Sequence, residues 1–267
     1  LREHPGNTRT LRALLDCSKK LGRYDVAISY ARELLKRVHG ASQDRLHNEI
    51  ADCELAQVER TDLNDGADAK RNAIEDVIRR HRDHVPSLAA LAQLEQVRGD
   101  VSETSRLLAR CFSLTGNISF LERIAEIWLS ASNPAKALQS VTGAVNSLKQ
   151  DHPYFESGQL ALAALCIKLG MLEEASTHIS KISAFGENHA RAEIIKGLIA
   201  VRKQQFAVAV EHFSTALVDE LSASDSGKEP SNEQRLIIEL CSSAAEVPSR
   251  LRKPATGEAP SPELSTP

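Results

Sequence analysis

The chain has 267 residues, enough for one elongated domain or two compact ones. Hydrophobic residues at 42% and charged residues at 26% exclude a wholly disordered or collagen-like chain, and a net charge of −3 leaves no global positive field for a nucleic-acid backbone. Aromatics are only 4% while Ala and Leu abound, which favours an all-α fold packed through small and aliphatic side chains over a β-sandwich.

In chain order, the first predicted hairpin carries Gly22, Tyr24, Ala27, Ala31 and Leu34, small and bulky residues at helical steps of three and four. Gly22 stands where its first helix must end, the position that takes a left-handed residue. The second begins with a long charged helix over about 43–60, then an acidic insert at 61–66, then a degenerate copy of the frame with Ala73 and Val77. The third carries Gly99, Val101, Thr104, Leu108 and Cys111. The fourth carries Ala125, Trp128, Ala137, Val141 and Ala144, with Asn133-Pro134 opening its second helix. Gly170, Leu172, Ala175, Ile179 and Ile182 mark the fifth, and Gly197, Phe206, Ala209, Phe213 and Ala216 the sixth. Residues 219–231 are rich in Ser, Gly and Asp and read as a flexible linker; 232–245 predict one short amphipathic capping helix. Residues 246–267 hold five of the ten prolines and predict a disordered tail.

The markers Ala27, Ala73, Thr104, Ala137, Ala175 and Ala209 lie 46, 31, 33, 38 and 34 residues apart. A period near 34 with this alternation resembles the tetratricopeptide-repeat family. That resemblance implies a right-handed α-solenoid of about six helical hairpins over residues 1–218.

No phosphate-binding glycine loop, zinc-protease helix, nucleophile elbow or calcium loop occurs, so the reading is a non-enzymatic protein with no cofactor and no metal site. His81 and His84, three apart, form the one spacing that suits a shared metal or haem; the flanking Arg79, Arg80, Arg82 and Asp83 also fit a solvated helix end. Five cysteines with no CxxC pair predict free thiols in a reducing compartment. The longest apolar run, residues 160–167, is far too short to span a bilayer.

The tetratricopeptide resemblance implies that the first helix of each hairpin lines an inner groove. Mapped onto this chain, Arg9, Arg12, Asp16, Lys19 and Lys20 form a mostly basic group, and Leu160, Ala164, Ile167, Ile194, Leu198 and Val201 an apolar strip. Such a groove suits a peptide or amphipathic helix of a protein partner, with acidic side chains at its basic end. The alternatives are that neighbouring hairpins or the Ile237 helix cover the strip, and that the basic group is simply an exposed first helix. The Lys and Asn clamp of chaperone-tail-binding members is missing: Arg12 and Asp16, or Ile194 and Leu198, stand at its positions.

Residues 21–27, then the long charged helix with its acidic insert, then 84–91 running into Arg98-Gly99-Asp100 resemble the carboxy-terminal repeat region of bacterial HemY proteins. The resemblance implies a scaffold for haem-biosynthesis enzymes on the cytoplasmic face of the inner membrane. The anchor would precede Leu1, this segment itself being soluble. Direct haem or porphyrin binding is the alternative, as is an envelope-assembly adaptor similar to LapB, although that family's Cys-rich zinc module is missing. A third alternative is self-association through exposed hairpin ends.

Overall fold

The structure, a computed structural model, describes residues 7–60, 67–184, 186, 188–223 and 232–251. The acidic insert at 61–66 and the stretch 252–267 lie outside the described residues. Within them the fold is all-α: thirteen helices and no strand. They are α1 (Thr8–Lys20), α2 (Tyr24–Leu35), α3 (Ala41–Arg60), α4 (Ala67–Arg80), α5 (Val85–Arg98), α6 (Val101–Thr115) and α7 (Ser119–Ser130). Then come α8 (Pro134–Asn146), α9 (Phe155–Lys168), α10 (Leu172–Ile179), α11 (His189–Arg202), α12 (Phe206–Ala223) and α13 (Asn232–Leu251). Within each unit most helices pack chiefly on their neighbours in sequence, as stacked hairpins do.

One register explains the pairing. Leu15, Ala51, Ala92, Ala125, Ala163 and Gly197 are buried at equivalent places on the first helices α1, α3, α5, α7, α9 and α11. At Gly197 the approach is close: an added Cβ would lie 2.3 Å from the Phe213 ring of α12. Seven residues after five of these six positions the chain turns through a left-handed residue: Gly22, Gly99, Ser132, Gly170 and Gln204. Asn133 and Asp100 then cap α8 and α6, their side chains accepting hydrogen bonds from the amides of Lys136 and Glu103.

The second hairpin breaks this rule. Seven residues after Ala51 stands Val58, still inside α3, which continues to Arg60. The hairpin therefore closes late, and the face of α4 that enters the core is Ile74 and Val77, each 1% exposed. The expected marker Ala73 is half-buried and lines a cavity instead. The other five markers, Ala27, Thr104, Ala137, Ala175 and Ala209, are fully buried.

The chain divides into two compact units, at residues 1–158 and 159–267. In the first, Leu11, Leu15, Ala27, Ile28, Ala31, Leu34, Leu46, Ile50 and Cys53 form one apolar cluster. In the second, Phe213 is packed between Ala200, Ala209, Ala216, Ile237 and Ala244. Helix α12 runs past residue 218 to Ala223, since no Gly or Pro interrupts it there. Helix α13 continues past 245 to Leu251, with Pro248 inside it and Pro254 beyond its end.

Candidate functional site

The apolar strip falls within the second unit and keeps a strict register. Leu160, Ala164 and Ile167 on α9 precede Ile194, Leu198 and Val201 on α11 by 34 residues each. Leu160 is 3% exposed and serves the interior. The other five are half-buried, and the α11 trio packs against the Phe213 cluster. Ile237 of α13 enters that same cluster, so the helix expected to act as a cap covers part of this core without closing the trio off.

The basic group on α1 meets acids that sequence spacing does not reveal. Arg12 Nη2 lies 2.8 Å from Glu49 Oε1 of α3 and its Nε 3.6 Å from Asp16, while Lys19 Nζ is 3.8 Å from Glu49 Oε2. Glu49 is only 16% exposed, and its Oε2 has no hydrogen bond despite the nearby ammonium. Arg9 and Lys20 stay exposed. Two of the four cations are therefore paired within the chain, which leaves a narrower basic edge than α1 alone predicts.

His81 and His84 do not face one ligand. His84 is buried, its Nδ1 2.7 Å from Ser87 Oγ and its Nε2 3.1 Å from Asp52 Oδ1. The network assigns the proton to Nε2, which donates to Asp52 while the Ser87 hydroxyl donates to Nδ1. That hydrogen bond holds the Asp52 carboxyl below its usual range even though burial opposes it. An Asp–His–Ser chain suggests nucleophilic catalysis, yet Ser87 is fully buried at the start of α5 and the relay ties α3 to α5. His81 Nε2 sits 3.4 Å from Glu54, and burial, then Arg80 and His84, push its pKa down. Among the described residues no three His, Cys, Asp or Glu side chains are grouped to hold a metal. Cys53, Cys111 and Cys166 are buried thiols, Cys111 pushed up to about 11 by burial, so they behave as small apolar groups.

A set of polar residues buried on first helices escaped the sequence reading. Glu54 and Glu95 stand three residues after Ala51 and Ala92; Gln159 and Glu193 stand four before Ala163 and Gly197. Each has a partner on a second helix. Glu95 accepts from Arg71 at 2.5 Å, Gln159 meets His178 at 2.8 Å, and Glu193 meets His212 at 2.7 Å. The last two pairs share a separation of 19 residues, the signal by which they are legible. Glu54 is ringed by Arg80 at 3.1 Å, His81 at 3.4 Å and Arg32 at 3.8 Å. Arg80 is close enough to pair with Glu54 Oε2 but too poorly aligned to hydrogen-bond it. Glu54 borders a cavity of about 430 Å³ between α2, α3 and α4, over Ile28, Val58 and Val77.

No helix among the described residues is long and apolar enough to cross a membrane. No family model matches the chain, and no curated protein matches it. Solved structures do resemble it. The TPR2AB domain of yeast Sti1, solved as a complex with a pHSP90 peptide, is 16% identical over 89% of this chain and 98% of that one, with a TM-score of 0.36. The Cut9–Hcn1 hetero-tetramer of the APC/C is 13% identical over 94% of this chain and 45% of that one (TM-score 0.45), and BtubC of P. vanneervenii 14% over 81% and 96% (TM-score 0.45). At TM-scores below 0.5 these likenesses do not bear on what the chain does; the fold stands on its own helix order and register.

Proposed function

We propose that this chain is a non-enzymatic scaffold that holds a peptide or helix of a protein partner along the first helices of its hairpins. One observation carries the reading: α9 and α11 present half-buried aliphatic side chains at matched positions 34 residues apart, Ala164 and Ile167 with Leu198 and Val201, while Arg9 and Lys20 stand exposed on α1. An amphipathic helix docks into such a lining with aliphatic anchors at helical spacing. The resemblance to the HemY repeat region narrows the clients to haem-biosynthesis enzymes held at a bacterial inner membrane.

The test is co-purification from native membranes with the wild type and an Ile194→Asp, Leu198→Asp double variant, both checked for folding by circular dichroism. The proposal expects a set of captured proteins to disappear in the variant. Identical sets from a folded variant overturn it.

A further inference from the structure

One face of α1 is left open where the other first helices are covered. The residue just before each register position is Leu14 on α1, and Ile50, Leu91, Ile124 and Leu162 on α3, α5, α7 and α9. Those four are at most 4% exposed, whereas Leu14 is only half-buried. On α11, where Lys196 stands, Ala192 and Ile199 are the buried members of the same face. Two residues after the register position, Cys53 of α3 is buried but Cys17 of α1 is exposed. What covers this face on α3 is visible: Leu46, Ile50 and Cys53 share one cluster with Ala27, Ile28, Ala31 and Leu34 of α2, the second helix of the preceding hairpin. Their counterparts Thr10, Leu14 and Cys17, with Leu21 70% exposed at the helix end, follow one another at helical spacing and form a single stripe along α1.

The stripe has a charged border. At 100° per residue, Lys20 and Arg9 lie about 60° and 80° beyond Cys17 around the helix. Arg12 and Lys19 share Glu49, but Arg9 and Lys20 meet no acid among the described residues. The covered face of α3 shows that a helix fits this seam, and the two unmatched cations set the charge of its edge. We infer that this face of α1 is a docking seat for an acid-flanked amphipathic helix of a partner protein. Its crossing residues would be alanines four apart, as Ala27 and Ala31 are on α2, with Asp or Glu along the edge that meets Arg9 and Lys20. A second copy laid antiparallel on the seat would set these two cations against themselves. The inference rests on the repeat register and not on the Leu198 lining.

The probe is a fluorescein-labelled, hydrocarbon-stapled peptide of residues 23–37 carrying Ser29→Glu and Arg32→Glu, both exposed positions of α2, titrated with the full chain by fluorescence anisotropy. The staple supplies the helix that so short a peptide does not hold alone. Saturation below about 1 mM is expected, with about tenfold weaker binding of a peptide that has Lys at both positions. Leu21→Asp and Cys17→Asp, changes at exposed sites, should each weaken binding by at least about tenfold. Arg9→Glu with Lys20→Glu should reverse the preference between the two peptides. Leu198→Asp should leave binding unchanged. Failure to bind, equal affinity for both peptides, or wild-type affinity in folded Leu21→Asp and Cys17→Asp overturns the assignment. So does a dimer of the full chain in sedimentation that Leu21→Asp dissolves, which would make a second copy the occupant. Binding that shows only after residues 1–6 are removed overturns it too, since the chain's own start would then fill the seat.

Discussion

Hairpins α3/α4 and α11/α12 start from the same register and solve the same problem differently. Each buries one glutamate on its first helix, and each leaves a cavity against the second helix of the hairpin before it. In α3/α4 the chain misses the usual turn, the hairpin closes late, and Glu54 is compensated by Arg32 and Arg80, cations that never lose their charge. In α11/α12 the turn is on time, Gly197 lets the Phe213 ring against the backbone, and Glu193 is compensated by Lys196 and two histidines. One scaffold thus balances its two buried glutamates differently, chiefly with arginines in the second hairpin and with a lysine and histidines in the sixth.

The largest contrast lies in packing. Phe213→Ala removes a fully buried ring and should cost about 3–5 kcal/mol, whereas Ile74→Ala in the second hairpin removes a smaller buried side chain and should cost about 2–3 kcal/mol. Urea midpoints of the two variants measure the difference, and equal losses would erase the distinction between a tight and a late-closing hairpin.

The acids come next. Glu54→Gln takes the charge from the acid with more cations around it, Arg32, Arg80 and His81, and should cost about 2 kcal/mol; Glu193→Gln should cost about 1 kcal/mol. Thermal denaturation at pH 8 ranks the two, and the reverse order would show that Glu54 is solvated rather than locked.

The second unit should also weaken with acid in two stages. Burial first, then Lys181, holds His178 below its ordinary 6.5, so above that value its stabilisation is complete; as pH falls through 6.5 the unfolded chain takes the proton first and stability drops. Glu193 follows lower. Burial raises its pKa, but hydrogen bonds from Lys196 and His212 outweigh burial and bring it below 4.5, so its contribution is present above 4.5 and fades as pH falls below it. Stability of a His178→Asn variant against pH checks the first stage, which should flatten near pH 6.

The smallest effects belong to the turns. Ser132 and Gln204 adopt φ of 54° and 61° where three other hairpins use glycine, so Ser132→Gly and Gln204→Gly should each add about 0.5–1 kcal/mol. A matching change at Val58, which is helical, should destabilise by about 1 kcal/mol instead.

Much of this architecture is written in periodicity. Five of six small markers fall at fully buried positions, and Gly22, Gly99 and Gly170 stand at left-handed turns, because steric demands at a helix crossing and at a reversal leave few residue types. Ala73 misled because α3 runs on past Val58 to Arg60, so a frame counted from the usual turn position no longer holds in α4. Glu49, Glu54 and Glu193 read as ordinary surface acids; only the neighbouring helices reveal them as buried or half-buried partners of Arg12, Arg80 and His212. The division falls at Gly158, which α9 runs straight through, so the glycine does not read as a boundary. The apolar strip was legible as a set of residues, but the sinking of Leu160 into the interior was not.

Site-specific photocrosslinking in native membranes tests the central claim most directly. A photoreactive residue at Leu198 should give a discrete crosslinked protein that the same group at exposed Gln139 of α8 does not give. Crosslinks from Gln139 with none from Leu198 would contradict the account.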